Sequence, residues 1–147
     1  MNVDSIENGV VIDHITAGQG MRLYELLGLG GLDVSIAIIQ NVSSKKMGKK
    51  DIIKIDAEIP LNLDVIGFVD PSATVNFIKN GELIEKRTID MPERLVNVLK
   101  CRNPRCITVT EQELPHIFKL ANREHKVYRC IYCEVQGGPH AEKGRSV

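Results

Sequence analysis

Through the first two-thirds of the chain, hydrophobic residues switch between the two-residue period of strands and the longer period of helices. β-branched runs bounded by turn residues predict strands at 9–15, 33–42, 50–56, 73–78 and 82–86. Leucines at i, i+3 and i+4 predict a helix that begins at Gly20 and ends at the glycines of 28–31. An apolar residue at every third position predicts a second helix after Asn62, which can serve as its N-cap, and Asp70 precedes the proline that stops it.

The order of these elements is β-α-β-β-α-β with one extra strand, joined to the last by an Asn80-Gly81 hairpin turn. This order is typical of the ferredoxin-like split βαβ arrangement, an antiparallel sheet with two helices on one face. The last third differs. It predicts a helical turn over 91–99, strands at 107–110 and 126–131, a middle piece at 117–121 of uncertain type, and a polar tail from Gly137. The expected class is α+β, with a small all-β C-terminal domain.

All four cysteines lie in that last third, as Cys101-x4-Cys106 and Cys130-x2-Cys133. Two close pairs at this separation suit a structural zinc ion, because each pair can bend round one side of a tetrahedral metal. Two disulfides or four unlinked thiols are the alternatives. The first residues lack the basic start and apolar run of a secretory signal, so we expect a cytoplasmic chain and favour zinc.

Charge also divides the chain. Residues 1–97 carry 10 basic and 14 acidic side chains, whereas residues 98–147 carry 9 and 5. We therefore expect two domains, 1–96 and 97–147. The second is small enough for a hydrophobic core to be marginal, and a metal would compensate for that.

The composition excludes several classes of function. No apolar run is long enough to cross a membrane, and the chain carries no net charge and no Trp, which is unfavourable for a nucleic-acid binder. Neither a phosphate-binding glycine loop nor a nucleophile elbow is present, so nothing recommends an enzyme. Lys54 lies between two isoleucines of a predicted strand, and Lys86 is the last residue of another; each faces either solvent or an anion. Asp13 and His14 are equally ambiguous.

Several motifs together resemble the regulatory chain of aspartate carbamoyltransferase, in order and nearly in spacing. The motifs lie at 10–15, 47–55, 73–76, 92–94 and the four cysteines, and the resemblance extends over almost the whole chain. The resemblance implies a non-catalytic subunit of pyrimidine biosynthesis with one structural zinc. It also implies docking on catalytic chains through the zinc domain and pairing with a second regulatory chain. CTP and UTP would inhibit, and ATP would activate.

By matching position, the resemblance also implies a nucleotide site and a contact residue. The nucleotide-binding residues would be Val3, Ile6, Val11, Asp13, His14, Lys54, Asn76, Ile78 and Lys86. Asn103 would contact the catalytic chain. The sequence departs from the family pattern at Gly81, Leu83 and Arg105.

A protein of another class could have the same topology. An RNA-binding protein can combine a ferredoxin-like domain with a zinc module, although the strand at 50–55 lacks the stacking aromatics of that class. A free-standing metabolite-binding module is a third alternative.

Overall fold

A computed structural model of the chain describes residues 6–137. The chain forms two compact units, Met1–Asp90 and Met91–Val147. Val3, expected in the nucleotide site, and the polar tail beyond Gly137 lie outside the described residues.

Residues 6–90 of the N-terminal unit form five strands, two helices and one 3₁₀ turn. The elements are β1 (Gly9–Thr16), α1 (Gly20–Leu26), the 3₁₀ turn (Leu29–Gly31), β2 (Ile36–Ser44), β3 (Gly48–Ile55), α2 (Leu63–Val69), β4 (Thr74–Lys79) and β5 (Glu82–Thr88). As predicted, Asn62 caps α2: its side-chain oxygen accepts hydrogen bonds from the amides of Asp64 and Val65 at 3.1 and 3.3 Å.

The five strands form one sheet in the order β2-β3-β1-β4-β5, and every neighbouring pair is antiparallel. Alternate residues of the central strands, such as Ile12, Ile53 and Val75, are fully buried in the core. Leu23 of α1 and Ile66 of α2 are buried in the core as well. The predicted ferredoxin-like fold is confirmed. The sheet face opposite the buried core can form a binding site.

Asp51 on β3 fixes the loops around one end of this sheet. Its side chain is fully buried, and its two carboxylate oxygens accept three backbone hydrogen bonds. The donors are the amides of Gly18 and Gly20, both at 3.0 Å, and of Asn41 at 2.9 Å. Asn41 has a positive φ of 59° within a bulge of β2. One carboxylate therefore holds the start of α1 and the bulge of β2 in place.

Residues 91–137 of the C-terminal unit form a four-stranded sheet in the order β6-β7-β8-β9, with one helical turn. The elements are β6 (Arg94–Val96), α3 (Ile107–Thr110), β7 (Ile117–Asn122), β8 (Val127–Cys130) and β9 (Gln136–Gly137). Two local predictions were wrong, because residues 94–96 form a strand, not a helical turn, and residues 107–110 form a helical turn, not a strand.

Packing explains the strand at 94–96. Leu95 pairs with Phe118, and both side chains are buried to at least 99%. The Tyr128 hydroxyl donates to the carbonyl of Pro92 at 2.9 Å, which fixes the chain just before β6. The boundary between the two compact units therefore falls between Asp90 and Met91. The boundary predicted from the sequence lies later, between residues 96 and 97.

Candidate functional site

The four cysteine sulfurs converge at one end of the C-terminal sheet, and all lie within 4.8 Å of one another. The Sγ atoms of Cys101 and Cys133 are 3.5 Å apart, and those of Cys106 and Cys130 are 3.7 Å apart. A tetrahedral zinc ion with Zn–S bonds of about 2.3 Å requires S···S distances of about 3.8 Å. The thiols form no disulfide. The donor set therefore fits one structural zinc ion.

The surroundings shift the pKa values of the thiols in opposite directions. Burial opposes ionisation of the Cys106 thiol, but hydrogen bonds from Thr108, followed by those from the Cys130 and Cys133 thiols, together outweigh burial and lower the pKa of Cys106 to about 7. The Thr108 hydroxyl donates to that sulfur at 3.1 Å. Burial raises the pKa of the Cys101 thiol to about 12, so this ligand must lose its proton when metal binds. The Cys101 amide also donates to Nδ1 of His116 at 3.1 Å, so His116 fixes the start of the loop between the first two cysteines.

Asn103 shapes the loop between the first two cysteines. Its side-chain oxygen accepts the Arg105 amide at 3.0 Å, and its carbonyl accepts the Cys106 amide at 3.0 Å. The loop is thus held both by this turn and by the metal ligands at its ends. A shallow surface depression lies against it, lined in part by Asn103 and Pro104.

A cleft of about 480 Å³ lies on the N-terminal unit and collects most of the predicted nucleotide-binding residues. Its lining is mixed polar and apolar: Ile6, Val11, Asp13, Ile52, Lys54, Asn76, Ile78, Gly81 and Leu83. The volume lies within the range of small-molecule sites.

Strand register explains why these residues meet. Lys54 pairs with Val11, Val11 with Asn76, and Asn76 with Lys86. Directly paired residues share a sheet face, so one row crosses four strands with a lysine at each end. Lys86 is exposed and does not line the cleft itself, but it stands beside Asn76 in this row.

Two polar groups give the cleft its chemistry. The side-chain oxygen of Asn76 is buried, and no group among residues 6–137 forms a hydrogen bond with it. Unpaired buried polar atoms are uncommon in native structures, and this one lies in a cleft, where a ligand could supply the partner. The Asp13 carboxylate forms an ion pair with Nζ of Lys50 at 2.9 Å. Burial alone would raise the pKa of Asp13, but Lys50 and the His14 amide outweigh burial and hold it below its usual 3.8.

Removing the Lys50 charge is expected to raise the Asp13 pKa, because burial then acts without its main opponent. The pKa of the Asp13 carboxyl group should therefore be higher in Lys50→Met than in the wild-type chain, where it lies below 3.8. Because the native pKa is depressed, the pair stabilises the fold above the unfolded pKa, and this stabilisation is lost as pH falls through the native pKa. Carbon-detected NMR titration of Asp13 measures this difference in pKa. Equal titration midpoints in the two proteins would contradict the prediction.

His14 is not among the residues that line the cleft, although the neighbouring Asp13 is. It has a positive φ of 57° at the irregularity in β1, and its Nδ1 lies 3.1 Å from the Thr74 hydroxyl. Ile52 also lines the cleft, and neither the sequence patterns nor the resemblance indicated it. Its position two residues before Lys54 on the same strand could have identified it.

Fold and sites together define a two-module protein in which one module offers a ligand cleft and the other is held by a structural metal. No helix among residues 6–137 has the length and apolar character needed to cross a bilayer. Two family models match the chain, with no overlap. Residues 1–90 match the allosteric domain of the aspartate carbamoyltransferase regulatory chain, and residues 93–137 match its metal binding domain. The chain belongs to the family of aspartate carbamoyltransferase regulatory chains.

Similar proteins support this assignment over nearly the full length. The aspartate carbamoyltransferase regulatory chain of Clostridium botulinum is 45% identical over 134 residues, which cover 91% of this chain and 92% of the relative. That of Clostridium tetani is 42% identical, with 91% and 94% covered. That of Bifidobacterium longum is also 42% identical, with 91% and 96% covered. The non-catalytic, regulatory role is confirmed, and the RNA-binding alternative has no support.

Proposed function

We propose that the N-terminal unit binds a nucleoside triphosphate in its cleft and that the zinc unit docks on the catalytic chain of aspartate carbamoyltransferase. The observation that carries the nucleotide proposal is the unpaired Asn76 oxygen, buried in a cleft whose row of side chains ends in two lysines. A ribose hydroxyl or a base amine would supply the missing donor. Flexible ammonium groups suit a triphosphate.

The cleft supports a division of labour among its residues. Ile6, Val11 and Ile78 offer an apolar surface for the base, to which Val3 would add from outside the described residues. Asp13 remains an acceptor for ribose hydroxyls at neutral pH, because its pKa is depressed. Lys54 would hold the ribose, and Lys86 together with His14 would meet the phosphates. Gly81 leaves space at the cleft wall, since a Cβ there would have only the Glu7 side chain within 4 Å.

Assembly would connect the two modules. The first cysteine loop, with Asn103, is the proposed contact with the catalytic chain. Strands β2 and β5 each have only one neighbour in the described sheet, so either edge could pair with a second regulatory chain. We place this assembly in the cytoplasm, where pyrimidine biosynthesis would use it. A nucleotide that binds two quaternary states unequally would shift their equilibrium by about 1–3 kcal/mol.

Replacing Lys54 is expected to weaken nucleotide binding about tenfold to a hundredfold, because hydrogen bonds to charged groups contribute about 1.5–3 kcal/mol. Calorimetric titration of Lys54→Gln with CTP and with ATP measures the loss. Lys49→Gln is the matched control, because Lys49 lies on the same strand at an odd-numbered position and belongs to the opposite face. Equal affinities in the two variants would refute the placement of the nucleotide.

Mixing the zinc-loaded chain with the catalytic subunit from the same source tests the regulatory role itself. We expect a larger complex whose aspartate saturation curve shifts when CTP or ATP is added. Failure to form a complex, with zinc present, would refute the docking proposal. A complex whose aspartate saturation curve does not change with CTP or ATP would refute only the effector proposal.

A further inference from the structure

The segment just before β1 and the turn between β4 and β5 are joined at one end of the nucleotide cleft. The Gly81 amide donates to the Glu7 carbonyl at 2.8 Å, and the Asn80 amide donates to the Asn8 side-chain oxygen at 3.1 Å. Asn80 and Gly81 both have positive φ, of 53° and 77°. Asparagine and glycine are the residues that adopt this hairpin turn most readily. The backbone of Glu7 is therefore fixed at the end of the cleft.

The Glu7 carboxylate lies beside the gap that Gly81 leaves in the cleft wall. A Cβ on Gly81 would lie 3.6 and 3.9 Å from the two carboxylate oxygens, and Gly81 itself lines the cleft. The Glu7 side chain is exposed, and within residues 6–137 it forms no ion pair. A negatively charged hydrogen-bond acceptor thus stands at the rim, where a larger residue at position 81 would separate it from the cleft.

The cleft differs in character along its length. The end next to Glu7 is lined by apolar side chains: Ile6, Ile78 and Leu83. The row of side chains that ends in Lys54 and Lys86 crosses β4 two residues earlier, at Asn76, which is about 7 Å further along the strand. The lysines attract a triphosphate and the Glu7 carboxylate repels it. A nucleotide would therefore place its base at the apolar end, with one edge toward Glu7.

We propose that the Glu7 carboxylate accepts a hydrogen bond from the exocyclic amino group of the base, so that the cleft prefers CTP and ATP to UTP. The inference rests on the proposed function and adds a residue that the resemblance does not imply. An ionised carboxylate can only accept hydrogen bonds, so it pairs with the amino group of cytosine or adenine. Uracil carries a carbonyl oxygen in place of the cytosine amino group, and two acceptors repel each other.

The test compares the dissociation constants of CTP and UTP by calorimetric titration of the full zinc-loaded chain. We expect the wild-type chain to bind UTP about tenfold more weakly than CTP, because one hydrogen bond to a charged group is lost. In Glu7→Gln the preference should disappear, since an amide can either donate or accept. Glu82→Gln is the matched control and should keep the preference, because Glu82 loses the same charge beside the same turn but does not line the cleft.

ATP and inosine triphosphate repeat the comparison with a larger base, because they too differ by an amino group and a carbonyl oxygen. Equal weakening of all four nucleotides in Glu7→Gln would assign Glu7 a purely structural role and overturn the proposal. Equal affinity of the wild-type chain for CTP and UTP would overturn it as well, as would a preference that survives in Glu7→Gln. These results leave nucleotide binding intact, whereas a wild-type chain that binds none of the four refutes the proposed function itself.

Discussion

Removing the metal with a chelator is expected to unfold the C-terminal unit and leave the N-terminal unit folded. The unit is small, and its fully buried large side chains are few, chiefly Leu95, Phe118 and Tyr128. A core of that size gives only marginal folding stability without a metal ion or a disulfide, whereas structural zinc contributes on the order of 10 kcal/mol to folding. Amide hydrogen exchange resolves the two units: protection should vanish across residues 91–137 and persist across the N-terminal sheet.

The same treatment is expected to release the chain from catalytic subunits, because the ends of the proposed docking loop are ligands. Cys133→Ser should reproduce both effects without a chelator, and added zinc should reverse the chelator's effect but not the substitution's. Thr110→Ala, an exposed change on the helical turn next to Cys106, serves as the control. Persistent protection of the C-terminal sheet after metal loss would refute the structural role of zinc.

Asp51→Ala is expected to destabilise the N-terminal unit by about 3–5 kcal/mol, because it leaves three buried amides without an acceptor. That is a large part of the 5–15 kcal/mol, roughly, by which domains are stable. Asp51→Asn should cost less, since its one remaining oxygen can still accept. Urea unfolding of the N-terminal unit, followed by hydrogen exchange of β1 and β3, gives the difference.

Asp56→Ala supplies the control, because Asp56 is an exposed carboxylate just beyond the end of β3. Zinc content should be unchanged in all these variants, which would show that the damage is confined to one unit. If Asp51→Ala and Asp56→Ala unfold at the same urea concentration, the Asp51 hydrogen bonds contribute nothing measurable.

Local patterns predicted the N-terminal fold well, because its strands alternate and its helices have clear ends. These patterns failed where residues distant in the sequence determine the secondary structure. Residues 94–96 form a strand because Phe118 and Tyr128 supply a core and a hydrogen bond from later in the chain. Residues 107–110 are rich in β-branched residues, yet they turn helically just after Cys106, a position constrained by the cluster of thiols.

The candidate sites show the same limit. Cysteine spacing was sufficient for the metal centre. The cleft residues came from the resemblance, and only the register of four strands explains why Lys54, Val11 and Asn76 form one row. In the C-terminal sheet, Arg94, Lys119 and Arg129 come from three separate strands, and nothing in their sequence spacing indicates that they stand side by side. Register depends on the whole sheet, so local sequence could not supply it.

Within residues 6–137, strand β5 has one neighbouring strand, β4, and every residue of β5 is exposed. Its attachment to the sheet is therefore among the weakest in the N-terminal unit, and it should open locally far more often than the central strands. Yet this strand carries Lys86. A ligand that engages Lys86 binds only the closed form, so occupancy of the cleft suppresses the fraying of a sheet edge. An effector's signal could thus be a change in how often that edge is available for pairing, with no displacement of the average structure.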